Sequence, residues 1–398
     1  MKPDVFLYDA LRTPCGKTAL YEVKPVNLLK AALNGLRDRI QLDTALVDDC
    51  IIGCVTPTSD QGFNLARTAV LQAGWHAAAG GMQINRYNAS GLEAVNIGAA
   101  KIAAGWASLI VAGGAESMSR TPVGADGGPL MYDPEVMLHN HYLPRGVAAD
   151  LVATLANLSR EALDEYAIQS HQRAARAQER DAFAGWITPI ADHNGLVILD
   201  HDEHIRHDIT PDQLAQLPPS FAEIGDKGFD AMALHRYPQL DRVRHLHTAG
   251  NSCPSADGAA LVLMGNAAAA DTLQRPPRAR VLATASVGTD PTAMLMGAPA
   301  AAKRALELAG RKAKSIDLWE CHEDYAAIAL QFQQAFDLRS DRLNVNGGAI
   351  ALGNPLGAAG ALLLGGLLCE LERRQLKTGL AAMSAGAGLS AAIIIERM

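Results

Sequence analysis

The sequence predicts a layered α/β fold made from two copies of one unit, with a different segment inserted between them. Three observations carry this. Small residues abound: there are 36 glycines, hydrophobic residues make up 49% and charged residues 19%, a globular balance that lets helices and sheets pack backbone-close. Two segments share a pattern: "NLLKAALNGLRDRIQLDTALVDDCIIGCV" and "AAKRALELAGRKAKSIDLWECHEDYAAIA". Each reads as an amphipathic helix, a polar link with an aspartate, and an apolar strand carrying a cysteine. A second pair then follows: "INRYNASGLEAVNIGAAKIAAGWASLIVAGGAESM" and "NVNGGAIALGNPLGAAGALLLGGLLCELERRQLKTGLAAMSAGAG". Each of these is an Asn- and Gly-rich turn, a long small-residue helix, an apolar strand and a Gly-rich exit.

The repeat covers roughly residues 1–118 and 270–398, as expected when one α/β unit is duplicated. A chain of 398 residues is too long for one small core. It is divided here into an N-terminal half (1–118), an insert (119–247) and a C-terminal half (248–398). The insert has another texture, holding most of the histidines and one clear amphipathic helix, "SREALDEYAIQSHQRAARAQERDAF". Ser159 suits its N-cap and Glu161 its first turn. Such an insert is expected to lie over one end of the core, where ligand sites gather.

Several classes are disfavoured. A net charge of −7 argues against a general nucleic-acid binder. The longest apolar run, "GAAGALLLGGLLCELE", reads as a buried helix rather than a membrane span. Six scattered cysteines (Cys15, Cys50, Cys54, Cys253, Cys321, Cys369) and a start without signal-peptide layout predict a reduced cytoplasmic protein. The "HDEHIRHD" cluster (His201, His204, His207) has loose spacing and no partner cysteine, so it reads as a solvated turn before "TPDQLAQL" and no metal is expected.

The informative stretch is "NRYNASGL", where Asn88 sits between a strand-like start and a long helix. That layout aims a side chain at a pocket, yet an amide does not attack. Asn88 tolerates a strained turn and can cap a helix. Ser90 and Glu93 are spaced for a capping box on that helix.

With "ALRTPCGK" (10–17), "DQGFNLAR" (60–67), "AGGAESMS" (112–119), "SREALDEYAIQSHQRA" (159–174), "TAGNSCPSADGAA" (248–260), "NVNGGAIALGNPLGAAGA" (344–361) and "GLAAMSAGAG" (379–388), the chain resembles the thiolases, acyl-CoA acetyltransferases of the condensing-enzyme superfamily. The resemblance implies a duplicated five-layer αβαβα fold, an inserted loop domain that holds the CoA tail, no required cofactor, and a homodimer or tetramer. It also implies roles. Asn88 stands where the family has its nucleophilic cysteine, Asn354 where it has the histidine of Gly-His-Pro, and Ser384 where it has a second, acid/base cysteine. His322-Glu323-Asp324-Tyr325 stands for the usual Asn-Glu-Ala-Phe, and a histidine at 322 resembles the trifunctional-enzyme branch. Backbone N–H groups of Asn88 and Gly386 correspond to one oxyanion hole, His322 and Asn354 to the other. Cys253, Arg145 and Ala249 are the expected contacts to a CoA thioester. Cys253 replaces a serine of the pantetheine tunnel and Pro254 follows where glycine is common. Cys321 is expected to face away from the pocket.

A helix N-terminus makes a cysteine reactive near neutral pH; asparagine has no such lone pair. Losing a nucleophile removes most of a unit's rate, after which further losses cost little. Substitution at three positions together fits that pattern. Three readings stay open: a protein that binds a CoA thioester or a partner subunit (including an active enzyme) without thiolysis or condensation; an enzyme that decarboxylates or hydrolyses a β-ketoacyl thioester through an oxyanion hole alone; and an acyltransferase with a substitute nucleophile such as Cys253. They rank in that order.

Overall fold

The computed structural model describes residues 4–398. Its main sheet contains β1 (Phe6–Arg12), β2 (Asp49–Gly53), β3 (Met82–Ile84) and β4 (Leu109–Ser117). A small hairpin, β5 (Ile190–Ala191) and β6 (Val197–Leu199), lies outside it. The main sheet continues with β7 (Asp257–Gly265), β8 (Ala279–Gly288), β9 (Leu318–Cys321), β10 (Thr378–Ser384) and β11 (Leu389–Arg397). The strand order is β3-β2-β4-β7-β1-β8-β11-β10-β9. The two halves meet at a short seam, where Phe6 and Leu7 pair with Arg280 and Ala279.

Helices cover both faces: α1 (Pro25–Ile40), α2 (Leu65–Gln72) and α3 (Ser90–Ala103) in the first half, α4 (Arg145–Leu155) and α5 (Arg160–Glu179) in the insert, then α6 (Ala298–Ala309), α7 (Ala326–Phe336) and α8 (Ala359–Arg373). Successive strand side chains point to opposite faces, and in most strands both faces are buried, β3 and β8 remaining partly exposed. Cys50, Ile52, Leu109 and Val111 pack with α1 and α2. Their neighbours Ile51, Ile110 and Ala112 join α3 and α8 in the central core. In the second half Leu318, Ala381 and Ile393 reach that same central core, while Trp319, Leu380 and Ile394 pack outward on α6 and α7. The order helix, sheet, helix, sheet, helix follows, and the duplicated five-layer arrangement is the observed one. The middle layer is tight. A Cβ on Gly91 of α3 would sit 2.5 Å from the Gly357 carbonyl, and one on Gly360 of α8 would sit 2.3 Å from the Leu92 nitrogen.

Three expectations need correction. The strand Asp257–Gly265, which a division at 248 assigns to the second half, hydrogen-bonds between β1 and β4 of the first. Ser90 and Glu93 do not form a capping box. The helix starts at Ser90 with Ala89 as its N-cap, and Ser90 Oγ is used by the preceding turn, accepting from Arg86 N at 2.8 Å and donating to Tyr87 O. Glu93 pairs with Arg86 at 3.4 Å. Thirdly, "HDEHIRHD" is only partly a solvated turn: Asp202 within it is buried and grips Arg12 through two bonds of 2.6 and 2.7 Å. Among the described residues, no group of three His, Cys, Asp or Glu could hold a metal ion, and no helix is long and apolar enough to cross a membrane.

The insert is fixed by similar contacts. Ser159 caps α5, its Oγ accepting from Ala162 N at 3.2 Å. Asp150 of α4 faces His245 Nδ1 at 2.8 Å and His247 Nδ1 at 2.7 Å, and Asp230 faces His245 Nε2 at 2.9 Å. The hydrogen bond to Asp150 does most to raise the His245 pKa, to about 9, against the opposing effect of burial.

Two outcomes follow from this architecture. A Cβ at Gly365 of α8 would meet the buried Trp186 ring at 2.0 Å, whereas at Gly366 it meets nothing within 4 Å. Gly365→Ala should therefore destabilise by about 1–3 kcal/mol through overpacking. Gly366→Ala should stabilise by up to about 1 kcal/mol through helix propensity. Urea denaturation reads both. An imidazole with a raised pKa contributes stability that is complete below its ordinary value of 6.5 and is lost as pH rises through about 9. Between pH 7 and 10 the protein should lose on the order of 2 kcal/mol that the His245→Ala variant does not lose.

Candidate active site

Six chain segments converge where β9 ends. The residues after it, His322, Glu323 and Asp324, are all buried. Glu323 fixes this turn against the insert. It accepts from Tyr166 Oη at 2.8 Å, Ser170 Oγ at 2.7 Å, Asn344 Nδ2 at 2.9 Å and Ile350 N at 3.3 Å. Burial, followed by the Glu323 charge, pushes the Tyr166 pKa well up, so the phenol stays a donor. Asn344 also clamps the strand end, bonding both Cys321 N and Cys321 O at 2.8 Å.

Held in this way, the Asp324 carboxylate becomes the hub of the site. Asn88 Nδ2 donates to its Oδ2 at 2.9 Å and Asn354 Nδ2 to its Oδ1 at 3.0 Å. Arg145 Nη2, from the first turn of α4, lies 2.5 Å from Oδ1. His322 Nε2 is 3.2 Å from the same oxygen, without the alignment of a hydrogen bond. Burial alone would raise the Asp324 pKa; the Arg145 charge and then His322 overcome it, and the carboxyl is held down at about 2. In turn Asp324 outweighs the effect of burial on Arg145 and pushes its pKa further up. Asp324 is 1% exposed and Arg145 26%, so the cation stands nearer solvent than the anion.

The turn before α3 aims Asn88 here. Tyr87 takes φ 48°, a left-handed bend, and Ser90 N closes it onto Tyr87 O at 2.9 Å. The Asn88 side chain thus caps nothing on α3; its second bond goes to Ser384 O at 2.8 Å. Ser384 has a structural task of its own, since its Oγ accepts from Ala298 N, the first residue of α6, at 2.9 Å. Gly386 lies two residues on, where a Cβ would be 2.9 Å from the Tyr87 ring. Cys253 is at the site, 3.4 Å from Asn354 Nδ2.

Asn88, Asn354, His322, Ser384, Cys253 and Arg145 therefore meet. Ala249 lines a cleft with His171, His204, and Ser252 and Pro254 on either side of Cys253. The residue that sequence reasoning missed is Asp324. Its signal was present in "HEDY", where the related pattern has alanine, but nothing in the sequence places Arg145 beside it.

No thiol here is poised as a thiolate. Burial raises Cys253 to about 12, with the Asp324 charge adding to the effect. Burial likewise raises Cys54, assisted by Glu116, whose carboxylate is 3.7 Å from its sulfur. It raises Cys321 well above the usual range; that side chain packs outward with Trp319 and Phe332. Burial pushes Cys15 to about 12, and raises Cys50 and Cys369 as well.

Comparison with known proteins agrees with the geometry. Residues 5–229 match the model of the thiolase N-terminal domain and 275–397 that of the thiolase C-terminal domain. A 3-ketoacyl-CoA thiolase of Photorhabdus laumondii is 35% identical over 407 residues, 99% of each chain. An acetyl-CoA acetyltransferase of Rhizobium meliloti is also 35% identical, over 100% of this chain and 99% of its own. The crystal structure of the Bacillus anthracis acetyl-CoA acetyltransferase superposes with a TM-score of 0.85 at 30% identity, over 100% of this chain and 99% of that one. The chain belongs to the thiolase family.

Arg145→Met would leave a buried carboxylate without its counter-charge. The expected loss is on the order of 3–5 kcal/mol, measured by urea denaturation. The Asp324 carboxyl, followed by NMR titration, should titrate above 3.8 instead of about 2. In the unaltered protein its contribution is complete above pH 3.8 and is lost only as the pH falls toward 2.

Proposed function

We propose that this member of the thiolase family binds an acyl-CoA-type ligand without taking up its acyl group, and so performs neither ordinary thiolysis nor condensation. One observation carries the reading: the side chain at the head of α3 is the Asn88 amide, with both of its N–H groups donated, to Asp324 and to the Ser384 carbonyl. Its nitrogen lone pair is delocalised and has no path to a thioester carbon. The positions around it agree. Asn354 cannot take a proton, and the Ser384 hydroxyl serves the first turn of α6. Cys253, the one thiol beside the cluster, stays protonated near neutral pH, and the thiolate is the nucleophile. Binding to the loop side, as a CoA-derivative carrier or as a non-catalytic subunit beside an active enzyme, is the function left for the scaffold.

A second reading is favoured by Arg145, a cation set beside the carboxylate hub. Decarboxylation or hydrolysis of a β-ketoacyl thioester needs charge stabilisation and no acyl-enzyme. Product analysis after incubation with acetoacetyl-CoA separates the two readings, since release of free acid or of a decarboxylated thioester would select the second.

The test is direct. Incubation with acetyl-CoA followed by intact-protein mass spectrometry should show no added acetyl group, and acetoacetyl-CoA with CoA should give no thiolysis. An acetyl group on Cys253 would overturn the proposal. Asn88→Cys, Asn354→His and Ser384→Cys combined should still be inactive while Asp324 remains, because a carboxylate beside the new thiol raises its pKa. Adding Asp324→Ala to that triple variant should bring measurable thiolysis.

A further inference from the structure

We propose that the site is selective for a ligand carrying its own carboxylate, and that Asp324 occupies the place of that group in the free protein. This rests on the reading that the site binds without covalent acyl transfer, and it names the class of ligand. The donor set is built for a carboxylate: a guanidinium, two primary amides and an imidazole nitrogen converge on two oxygens from different elements. Planar guanidinium and amide donors match carboxylate geometry.

Asp324 does not exhaust these donors. Arg145 Nε and His322 Nε2 are buried atoms with no hydrogen-bond partner among the described residues. Arg145 is also the most exposed member of the set, at 26% against 1% for Asp324. An incoming carboxylate that takes the place of Asp324 would find two further N–H or ring-nitrogen partners, Arg145 Nε and His322 Nε2, still unused.

Any guest that displaces Asp324 costs that carboxylate its partners, a cost common to all guests, so selectivity is decided at Arg145. A neutral acyl group that displaced Asp324 would leave Arg145 without a counter-charge in a desolvated site. A carboxylate guest restores the ion pair. The difference should be tenfold in affinity or more, since removing one partner of a desolvated pair is costly. The ligand class is thus a short acyl thioester or free acid ending in a carboxylate, rather than a plain alkanoyl thioester.

The decisive experiment uses the full chain carrying Asp324→Ala, with sodium acetate as the probe and acetamide as its neutral isostere. Acetate should raise the melting temperature saturably, as a ligand that binds only the folded state does. Acetamide, or sodium chloride at equal ionic strength, should not. Adding Arg145→Met should abolish the acetate response. Equal responses to acetate and acetamide, no response to acetate, or a response that survives Arg145→Met would overturn the proposal. Should Asp324→Ala fail to fold, Asp324→Ser takes its place under the same criteria.

Calorimetry on the unaltered protein gives an independent arm. Succinyl-CoA should bind at least tenfold more tightly than butyryl-CoA, and equal or reversed affinities would count against the inference. An acylated residue found by mass spectrometry would sink the non-covalent reading while leaving this selectivity test intact, so the two failures are distinguishable.

Discussion

One buried carboxylate sets the terms for the whole site. A charge at 1% exposure is tolerable only with partners, because the solvation lost on burial must be replaced by fixed dipoles and counter-charges. Asp324 obtains them from the head of α3, from α4, from the loop before α8 and from its own neighbour His322. The partners lie on separate chain segments, one of them in the insert. The carboxylate therefore fixes the relative positions of four segments, and any change at one of them is felt at the others.

The same device recurs where the insert meets the core. Arg12 of β1 grips Asp202, Glu323 after β9 holds Tyr166 and Ser170 of α5, and Asp324 faces Arg145 of α4. In all three, an acid and its partner lie on opposite sides of the junction. Apolar contact there would give adhesion with little directional preference. Buried acids fix the docking geometry, since a misplaced partner leaves a charge unpaired. The insert is thereby held in register over the end of the sheet where Asn88, His322 and Asn354 gather.

The fold was legible because its signals are local or repeated. The helix–strand pattern around Cys50 recurs around Cys321, and strands buried on both faces read as unbroken apolar runs. Ser159 announced its helix correctly. Ser90 did not, because whether a serine is the cap or the first helical residue depends on the turn at Tyr87, which no spacing rule reveals. The site was legible as a set of positions and illegible as a network. The convergence of Asn88, Asn354 and Ser384 followed from their family context. The pairing of Arg145 with Asp324 joins residues 179 positions apart through the docking of the insert, and only coordinates show it. Asp202 was obscured for the same reason: amid exposed histidines its acid reads as solvated until Arg12 is seen beside it.

The residues at 88 and 324 make sense together. A carboxylate beside a thiol opposes thiolate formation; Asp324 already acts in that direction on Cys253. A site with Asp324 is thus hostile to a nucleophilic cysteine at the head of α3, even with the helix dipole in its favour. An amide has the opposite relation to the same charge. Asn88 and Asn354 each supply an N–H that the carboxylate needs. As electrostatics these positions are matched, each side chain satisfying the anion that the others also satisfy. Asn88, Asn354, Arg145 and His322 thus form one shell around a single anion, and a change at any of them alters the electrostatics felt by the rest.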